Sequence, residues 1–325
     1  MPILDVVDAE AGGDVGRVVV AGFDPPPGRS VADQARYLRD EADGLRRALI
    51  AAPYGEPSQS INLVVPALTP EADVGLIITG TMGYPGFSGS NAMCTVAALI
   101  DRGIIDPADG VLRLETPAGI TPVDVHVAGA ALSVSYPAPV AYAEPGQRIA
   151  EVPGWGRVAY TLAYSGTCYV VVDSADVGLR PTAAAVPEIR RLFDALLDTI
   201  GPEVRLDHPD LGVLAELRLG LLADSTVAVD PTTPETPCPV AVYMAGGVIC
   251  EGPTGTGTSA LLAWLAGLGR IGPGTRLLTT APSGNSFTGE YTDDTMVGPY
   301  PAARTRVTGR PRLLGRTTID LRTDG

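Results

Sequence analysis

A pattern of helix, turn, strand and tight turn occurs once in each half of the chain, and it restricts the fold more than any other feature. Each copy places glycine at both of its turns. The copies are the helix starting at Cys94, Gly103, Val111–Glu115 and Gly119, and the helix after Thr254, Gly269, Arg276–Thr280 and Gly284. Sixteen positions separate the two glycines of the first copy, and fifteen separate those of the second. We interpret this as a duplicated αβ lobe, with a site where the N-termini of the two helices face each other.

The composition favours a folded chain with many turns. Of the 325 residues, 39 are glycine and 30 are proline, which predicts short strands between tight turns. The hydrophobic fraction of 45% is sufficient for a substantial core. No apolar run reaches the roughly 18 residues of a membrane span. The net charge of −14 argues against nucleic acids and anionic membranes as partners.

Several kinds of chemistry are excluded by residues that the chain lacks. All 23 basic residues are arginine, so no lysine is available for a Schiff base with pyridoxal phosphate or a carbonyl substrate. A phosphate-binding loop that depends on lysine is excluded for the same reason. His126 and His208 are the only histidines, so a site with several histidine ligands cannot form within one chain. We expect no metal.

The N-terminal sequence and the cysteines indicate a cytoplasmic protein. The first residues contain neither a basic segment nor an apolar stretch, so no signal peptide is predicted. The four cysteines are scattered and form no closely spaced pair, which is typical of reduced thiols. They are Cys94, Cys168, Cys238 and Cys250.

The proline-rich segment Pro137–Pro153 is predicted to be a linker or crossover between two domains. The expected domains are residues 1–145, which carry Cys94, and residues 146–325, which carry Thr254. The last strands are candidates to return to the N-terminal lobe. Near the start of the chain, Ser30 is a plausible N-cap, and the apolar spacing predicts a single helix from Val31 to Leu49.

A loop of small residues, Gly252–Ser259, runs directly into an apolar helix. Free N–H groups and the helix dipole at such an N-terminus favour an anion, and glycine allows it to approach the backbone. Without lysine, we expect a carboxylate rather than a polyphosphate, bound around Gly255 and Thr256. The alternative is a tight loop in which Thr256 or Thr258 is the N-cap.

Cys94 precedes the other apolar helix, and two interpretations are open. A cysteine near a helix N-terminus can have a lowered pKa and act as a thiolate base or nucleophile. A single cysteine in an apolar run is otherwise a small buried core residue. A Ser-His-Asp triad is not supported, since His126 fits a strand and His208 fits a surface turn.

The motifs in this order resemble the proline racemase family, which includes hydroxyproline 2-epimerases and trans-3-hydroxy-L-proline dehydratases. The resemblance covers nearly the whole chain, and its most specific stretch is similar to the family pattern P-C-G-T-G-T-S-A. The segments that carry it are Pro53-Tyr-Gly55, Ala72–Ile77, Gly83-Tyr84, Met93-Cys94, Glu115–Gly119, Ala163–Gly166, Val171–Asp173, Pro253–Ala260 and Ser286–Gly289.

The resemblance implies an α/β (α+β) fold of two pseudo-symmetric lobes like that of diaminopimelate epimerase. Each lobe would be a curved, mostly antiparallel sheet around a central helix. In the racemases, two cysteines flank Cα and act without a cofactor. Cys94 matches the first cysteine and Thr254 occupies the position of the second, which is also the pattern of the 3-hydroxyproline dehydratases. Cys94 would therefore remove a proton, while Thr254 would assist a leaving hydroxyl or a second proton site.

Three departures from the family pattern alter the expected substrate pocket. Thr95 and Val96 replace the Gly-His that follows the first cysteine, and Cys250 replaces an aspartate four residues before the second. About six additional residues, within Pro85–Asn91, are needed to bring Cys94 into register with the first cysteine. The residues expected to contact the substrate are Thr95, Val96, Cys250, Gly255 and Thr256.

The expected function is that of a cofactor-independent lyase or isomerase acting on a small cyclic, proline-like carboxylic acid. The nearest named activity is that of trans-3-hydroxy-L-proline dehydratase. The alternatives are a proline or hydroxyproline 2-epimerase, a double-bond isomerase of a specialised pathway, and a ligand-binding protein without catalysis. A homodimer is one possible assembly.

Overall fold

The structure, a computed structural model, describes residues 3–106, 110–129, 131–214, 217–227, 229 and 233–322. The chain forms two compact units, Met1–Tyr136 with Gly309–Gly325 and Pro137–Thr308. The boundary predicted between residues 145 and 146 lies within the second unit. Among the described residues, none of the helices combines the length and apolar character needed to cross a bilayer.

Strands dominate the regular structure of both units. In chain order they are β1 Ile3–Ala11, β2 Asp14–Ala21, β3 Ser60–Val65, β4 Val74–Thr79, β5 Val111–Thr116, β6 Gly119–Ala128, β7 Ala131–Pro137, β8 Ala141–Ala143, β9 Arg148–Val152, β10 Gly156–Tyr164, β11 Cys168–Asp173, β12 Leu206–His208, β13 Gly212–Leu214, β14 Leu219–Ala223, β15 Thr236–Met244, β16 Val248–Ile249, β17 Arg276–Thr280, β18 Ser286–Val297, β19 Tyr300–Gly309 and β20 Arg312–Asp320. The α-helices are α1 Val31–Asp40, α2 Gly44–Leu49, α3 Gly89–Asp101, α4 Ser174–Val177, α5 Val186–Ile200 and α6 Gly255–Gly267.

In the first unit, the strands pair in the order β20, β1, β2, β3, β4, β5, β6, β7. The pairs β2–β3 and β4–β5 are parallel and the others are antiparallel. Helix α3 contacts β1, β2, β3 and β20. Every residue of α3 from Ser90 to Leu99 is buried, so the helix is enclosed on all sides, as expected for a helix without a polar face.

Helix α1 lies on the other side of this sheet and begins as predicted. Ser30 is its N-cap, and the Ser30 hydroxyl accepts a hydrogen bond from the backbone N–H of Asp33. The Glu115 carboxylate accepts hydrogen bonds from the backbone N–H groups of Leu68 and Thr69, which fixes the turn before β4. The single helix predicted from Val31 to Leu49 is wrong, because residues 41–43 separate α1 from α2.

In the second unit, the strands pair in the order β8, β10, β11, β14, β15, β17, β18, β19, and β19 pairs with β8 to close the ring. The parallel pairs are β11–β14 and β15–β17. Helix α6 is enclosed in this ring, with every residue from Gly257 to Leu265 buried. Helix α5 packs on the outside through residues that include Phe193 and Leu196.

The two units repeat one order of pairings, in which parallel and antiparallel pairs alternate from β2 to β6 and from β11 to β18. Their central helices end alike. Gly103 N–H donates to Ile100 O and Ile104 N–H to Leu99 O, while Gly269 N–H donates to Ala266 O and Arg270 N–H to Leu265 O. Gly103 and Gly269 have φ of 64° and 67°. This is the left-handed cap that favours glycine. The duplicated αβ lobe is thereby confirmed.

The segment Pro137–Pro153, predicted to be a linker or crossover, begins at the boundary between the two units but is not a linker along its length. This segment contains β8 and β9, both of which pair with β10. Ala141 and Tyr142 of β8 are fully buried. The prolines lie outside the two strands, so they do not remove a donor from the ladder.

Candidate functional site

The N-terminus of α3 carries a group of hydroxyl side chains that sequence reasoning missed. The N-cap is Ser88, whose side chain does not cap the helix backbone. Instead, the Asn91 Nδ2 donates to Ser88 Oγ at 2.9 Å, and Ser88 Oγ lies 3.3 Å from Ser90 Oγ. The helix was predicted to start at Cys94, but it starts at Gly89. Ser88 and Ser90 therefore lie at its N-terminus.

A carboxylate completes this group. Ser90 Oγ donates to Asp14 Oδ2 at 2.7 Å. Asp14 is the first residue of β2, directly after the hairpin turn at Gly12 and Gly13. Burial raises the pKa of Asp14, the hydrogen bond from Ser90 partly offsets this, and the nearby Glu10 raises the pKa further.

Cys94 lies inside the first unit and is 0% exposed. Its thiol faces the backbone carbonyl of Asp14, with Sγ 3.9 Å from the oxygen. Burial raises the pKa of the Cys94 thiol well above its usual value, and the neighbouring Asp14 and Glu10 raise it further. Of the two interpretations of Cys94, these observations favour the buried core residue.

Thr95 and Val96, which were expected to contact the substrate, are also 0% exposed. The Thr95 hydroxyl donates to the Asn91 carbonyl one turn earlier in α3, at 2.8 Å. Like Cys94, these residues belong to the enclosed body of the helix. Their positions do not support a direct contact with substrate.

The N-terminus of α6 shows a similar arrangement. Its N-cap is Thr254, so the alternative of Thr256 or Thr258 as N-cap is wrong. Thr254 Oγ1 accepts a hydrogen bond from the Gly257 N–H at 2.9 Å. Among the described residues, Thr254 is the only non-glycine residue with positive φ, at 53°. Such a conformation costs about 1–3 kcal/mol and is typical of functional sites.

A buried tyrosine joins the two threonines of this N-terminus. The Tyr169 hydroxyl lies 3.0 Å from Thr254 Oγ1 and 2.7 Å from Thr256 Oγ1. Tyr169 is on β11 and is 0% exposed. Ser165 Oγ donates to the Thr256 carbonyl at 2.6 Å, which holds the first turn of α6 against the end of β10. Thr254, Gly255 and Thr256 are half-buried.

Ser88, rather than Cys94, is the counterpart of Thr254. Ser88 lies fifteen residues before Gly103, and Thr254 lies fifteen residues before Gly269. Both are N-caps of helices of 13 residues. Gly89 and Ser90 then correspond to Gly255 and Thr256. Counting back from the two glycines would have identified Ser88 in the sequence, and the proposed six-residue insertion would not have been needed.

Cys250 directly follows β16, at the start of the loop that leads into α6. It is half-buried, and its N–H donates to the Val242 carbonyl at 2.8 Å. It lines a cavity of about 270 Å³ together with residues that include Arg190, Glu251 and Ser283.

The two histidines lie apart from these helix N-termini in the sequence and have different environments. His126 is exposed on β6, as the strand pattern predicted. His208 is 6% exposed, so its assignment to a surface turn is wrong. Its Nδ1 accepts hydrogen bonds from the Asp210 and Leu211 N–H groups, and its ring packs edge-on against Tyr164. His208 thus stabilises the turn between β12 and β13. The part of the chain that the structure describes contains no cluster of three or more potential metal ligands from histidine, cysteine and acidic residues.

Known proteins resemble this chain over nearly its whole length. The sequence model of the family described as proline racemase matches residues 6–324. The 4-hydroxyproline 2-epimerase of Allorhizobium ampelinum is 31% identical over 320 residues, which cover 95% of this chain and 88% of that protein. The trans-L-3-hydroxyproline dehydratase of Xenopus tropicalis is 27% identical over 323 residues, which cover 98% of this chain and 92% of that protein.

A solved structure extends the likeness to three dimensions. The crystal structure of a hydroxyproline epimerase from Agrobacterium vitis with bound trans-4-OH-L-proline has a TM-score of 0.79 and 28% sequence identity. The match covers 98% of this chain and 91% of that chain. The mixed α/β fold of the diaminopimelate epimerase type, expected from the resemblance, is confirmed. The chain therefore belongs to the proline racemase family of isomerases and lyases.

Proposed function

We propose that this protein is a cofactor-independent lyase that removes the Cα proton of a cyclic, proline-like carboxylic acid and expels a hydroxyl group. Ser88 and Thr254 are the two residues that act on the substrate. The observation that carries this proposal is their equivalent position at the N-caps of the two central helices, α3 and α6. Cys94, the residue first expected in this role, is enclosed within α3.

The first turns of α3 and α6 are suited to bind the substrate carboxylate. The first N–H groups of a helix have no partner within the helix, and the helix dipole favours negative charge there. In α3, the Ser88 side chain leaves these donors available, since it bonds to Asn91 and Ser90 instead. With no lysine in the chain, peptide N–H groups are well suited to hold a single carboxylate.

The two hydroxyls favour elimination over symmetric racemisation. A hydroxyl is a much weaker acid than a thiol, whose reference pKa is about 8.5, so neither Ser88 nor Thr254 can rest as an anion at neutral pH. Thr254 can instead donate a hydrogen bond to a leaving hydroxyl. The Cα–H electron pair forms the new double bond, and the C–O bond breaks. The Cα proton and the departing hydroxide together account for the released water.

The named relatives support two substrates. Trans-3-hydroxy-L-proline carries its hydroxyl next to Cα, as elimination requires, and a dehydratase of that compound is 27% identical to this chain. The alternative activity is 2-epimerisation, which is favoured by the 31% identity to a 4-hydroxyproline 2-epimerase. A double-bond isomerase and a binding protein without turnover are the remaining alternatives.

Proton exchange in deuterated water tests the proposal. The purified protein is incubated with L-proline, trans-4-hydroxy-L-proline and trans-3-hydroxy-L-proline, and label at Cα and new products are measured by NMR. We expect trans-3-hydroxy-L-proline to lose water. Label in both enantiomers, with inversion and without water loss, would establish an epimerase. Ligand-induced thermal stabilisation without exchange would establish a binding protein.

Three variants separate Ser88 from Cys94. Ser88→Ala and Thr254→Val are expected to lower turnover by about 100-fold or more, because each removes a group in contact with the reacting atoms. Cys94→Ser is expected to keep most of the activity. Cys238→Ser, at another fully buried thiol, controls for the packing cost of the change. Loss of activity in Cys94→Ser with activity retained in Ser88→Ala would transfer the role to the thiol.

A further inference from the structure

We propose that Asp14 is the positioning residue that makes Ser88 the proton-accepting side of the site, acting through Ser90. This inference rests on the function proposed above, since it assumes that Ser88 meets the Cα proton. It assigns proton removal to Ser88, within the first unit.

The assignment follows from counting the protons in the chain of hydrogen bonds. An ionised carboxylate can only accept, so the hydrogen bond of 2.7 Å between Ser90 Oγ and Asp14 Oδ2 uses the single proton of Ser90. In the contact of 3.3 Å between the two serines, Ser90 Oγ must then accept and Ser88 Oγ must donate. The Ser88 proton is therefore directed toward Asp14.

Asn91 fixes the remaining side of Ser88. Its Nδ2 donates to Ser88 Oγ at 2.9 Å, so that oxygen already accepts one hydrogen bond and donates another. The remaining lone pair of Ser88 Oγ is the one that can accept the Cα proton. Asn91 is 5% exposed, and its Oδ1 has no hydrogen-bond partner among the described residues. This oxygen lies near Gly16 of β2 in the interior of the unit, since a Cβ added to Gly16 would be 3.1 Å from it.

The equivalent group at the other helix has no carboxylate. Its third member is Tyr169, whose hydroxyl contacts both Thr254 and Thr256. A neutral phenol can donate to Thr254 while accepting from Thr256, which leaves the proton of Thr254 free to point at a leaving group. Asp14 and Tyr169 therefore give the two helix N-termini different hydrogen-bond patterns.

The proton transfer balances without a free alkoxide. As the Cα–H bond breaks, its proton joins Ser88 Oγ, the Ser88 proton moves to Ser90, and the Ser90 proton moves to the Asp14 carboxylate. The net change is one proton gained by Asp14 and one electron pair left on the substrate. The burial that raises the pKa of Asp14 also makes it a stronger base than an exposed aspartate. After the product has left, Asp14 returns the proton through Ser90 and Ser88 to solvent, where this proton and the departed hydroxide together make up the released water.

Asp14→Asn tests this inference. The amide still accepts from Ser90 through its oxygen, but it cannot take up the proton. We expect the Cα exchange rate and kcat to fall by about 100-fold with KM changed by less than about threefold, as for the loss of a general base. Asp14→Glu, which restores a carboxylate, is expected to recover part of this loss. Circular dichroism and thermal melting of each variant check that it has folded.

Glu10→Gln is the matched control. Glu10 is a carboxylate near Asp14, but it accepts from the Gly13 N–H and Arg312 rather than from a serine. Glu10→Gln is expected to lower exchange by less than about tenfold, well short of the loss in Asp14→Asn, because it removes a charge that raises the pKa of Asp14 but removes no member of the relay. Wild-type exchange in Asp14→Asn with exchange lost in Ser88→Ala would overturn this inference and leave the proposed function intact. Absence of exchange in the wild type with all three probes would overturn both.

Discussion

At the scale of single residues, the hydroxyls at the two helix N-caps are held in ways that differ between the units. Thr254 adopts a strained backbone conformation and caps Gly257, while Ser88 adopts an extended conformation and its hydroxyl contacts the side chains of Asn91 and Ser90. Strain of this kind persists where surrounding contacts enforce it. Here the contacts are the bonds from Gly257 and Tyr169 to the Thr254 hydroxyl.

Tyr169→Phe is expected to lower the elimination rate about tenfold, because removing one preorganised donor weakens the support for developing charge. Cα exchange should fall less, since Ser88 and Asp14 are untouched. The measurement compares water loss with exchange, using trans-3-hydroxy-L-proline in deuterated water. Tyr142→Phe is the control, because the buried Tyr142 hydroxyl has no hydrogen-bond partner among the described residues. Equal loss of exchange and elimination in Tyr169→Phe would contradict the assignment.

Residue types were easier to predict than their environments. Gly255 and Thr256 were predicted from the pattern of small residues before an apolar helix, and Thr254 from the resemblance to the family. Cys94 was selected for its chemistry, although its position in the helix determines its role. His208 was assigned to a surface turn from its polar neighbours, but its ring packs against Tyr164 and is buried.

At the scale of elements, the central helices approach the surrounding strands closely at glycines. In β18, a Cβ added to Gly289 would lie 2.4 Å from Thr258 Cγ2 of α6. In β2, a Cβ at Gly16 would lie 2.9 Å from Cys94 Cβ of α3. Both glycines therefore permit a helix to pack against the backbone of the sheet.

Gly289→Ala is expected to lower the free energy of unfolding by about 1–3 kcal/mol, as is typical of overpacking. Gly267→Ala is the matched control, since Gly267 ends α6 and has no atom within 4 Å of the added Cβ. Alanine there is expected to be neutral or stabilising by up to about 1 kcal/mol. Urea unfolding followed by circular dichroism measures both. A Gly289→Ala variant as stable as the wild type would contradict the close packing.

Some boundaries of helices and strands can be predicted from local sequence, and others cannot. The Ser30 N-cap was predicted correctly, since a serine before an apolar stripe satisfies free N–H groups wherever the helix packs. The break between α1 and α2 was not predicted, because the apolar spacing continues across residues 41–43. The strands β8 and β9 were missed because proline frequency was given more weight than the buried residues between the prolines.

At the scale of the whole molecule, the last strand contributes to the unit that contains the first. Strand β20 pairs along β1 from Ile3 to Glu10, and Ile319 and Leu321 pack into the core beneath α1. Both residues belong to the hydrophobic cluster of the first unit and to neither of the two clusters described in the second unit. Stability of the first unit therefore depends on the end of the chain.

Truncation after Gly309 removes β20 and is expected to destabilise the first unit selectively. The hydrogen bonds of β1 on that side are lost, and the core is opened at Ile319. Hydrogen exchange measured by mass spectrometry should show lost protection in peptides of β1 and β2 and retained protection in α6. Truncation after Arg322 keeps β20 and serves as control. Unchanged protection of β1 in the shorter chain would refute this dependence.

The sequence alone determined the duplicated lobe, the family, and the small residues that lead into α6. These follow from spacing, from glycine at left-handed turns and from small residues before helices, which act over short stretches of chain. Tertiary structure decided the rest: it enclosed Cys94 and brought Asp14 to Ser90 and Tyr169 to Thr254 at the helix N-termini. These residues are distant in sequence, so their contacts, and the pKa shifts that burial causes, arise only when strands and helices pack together.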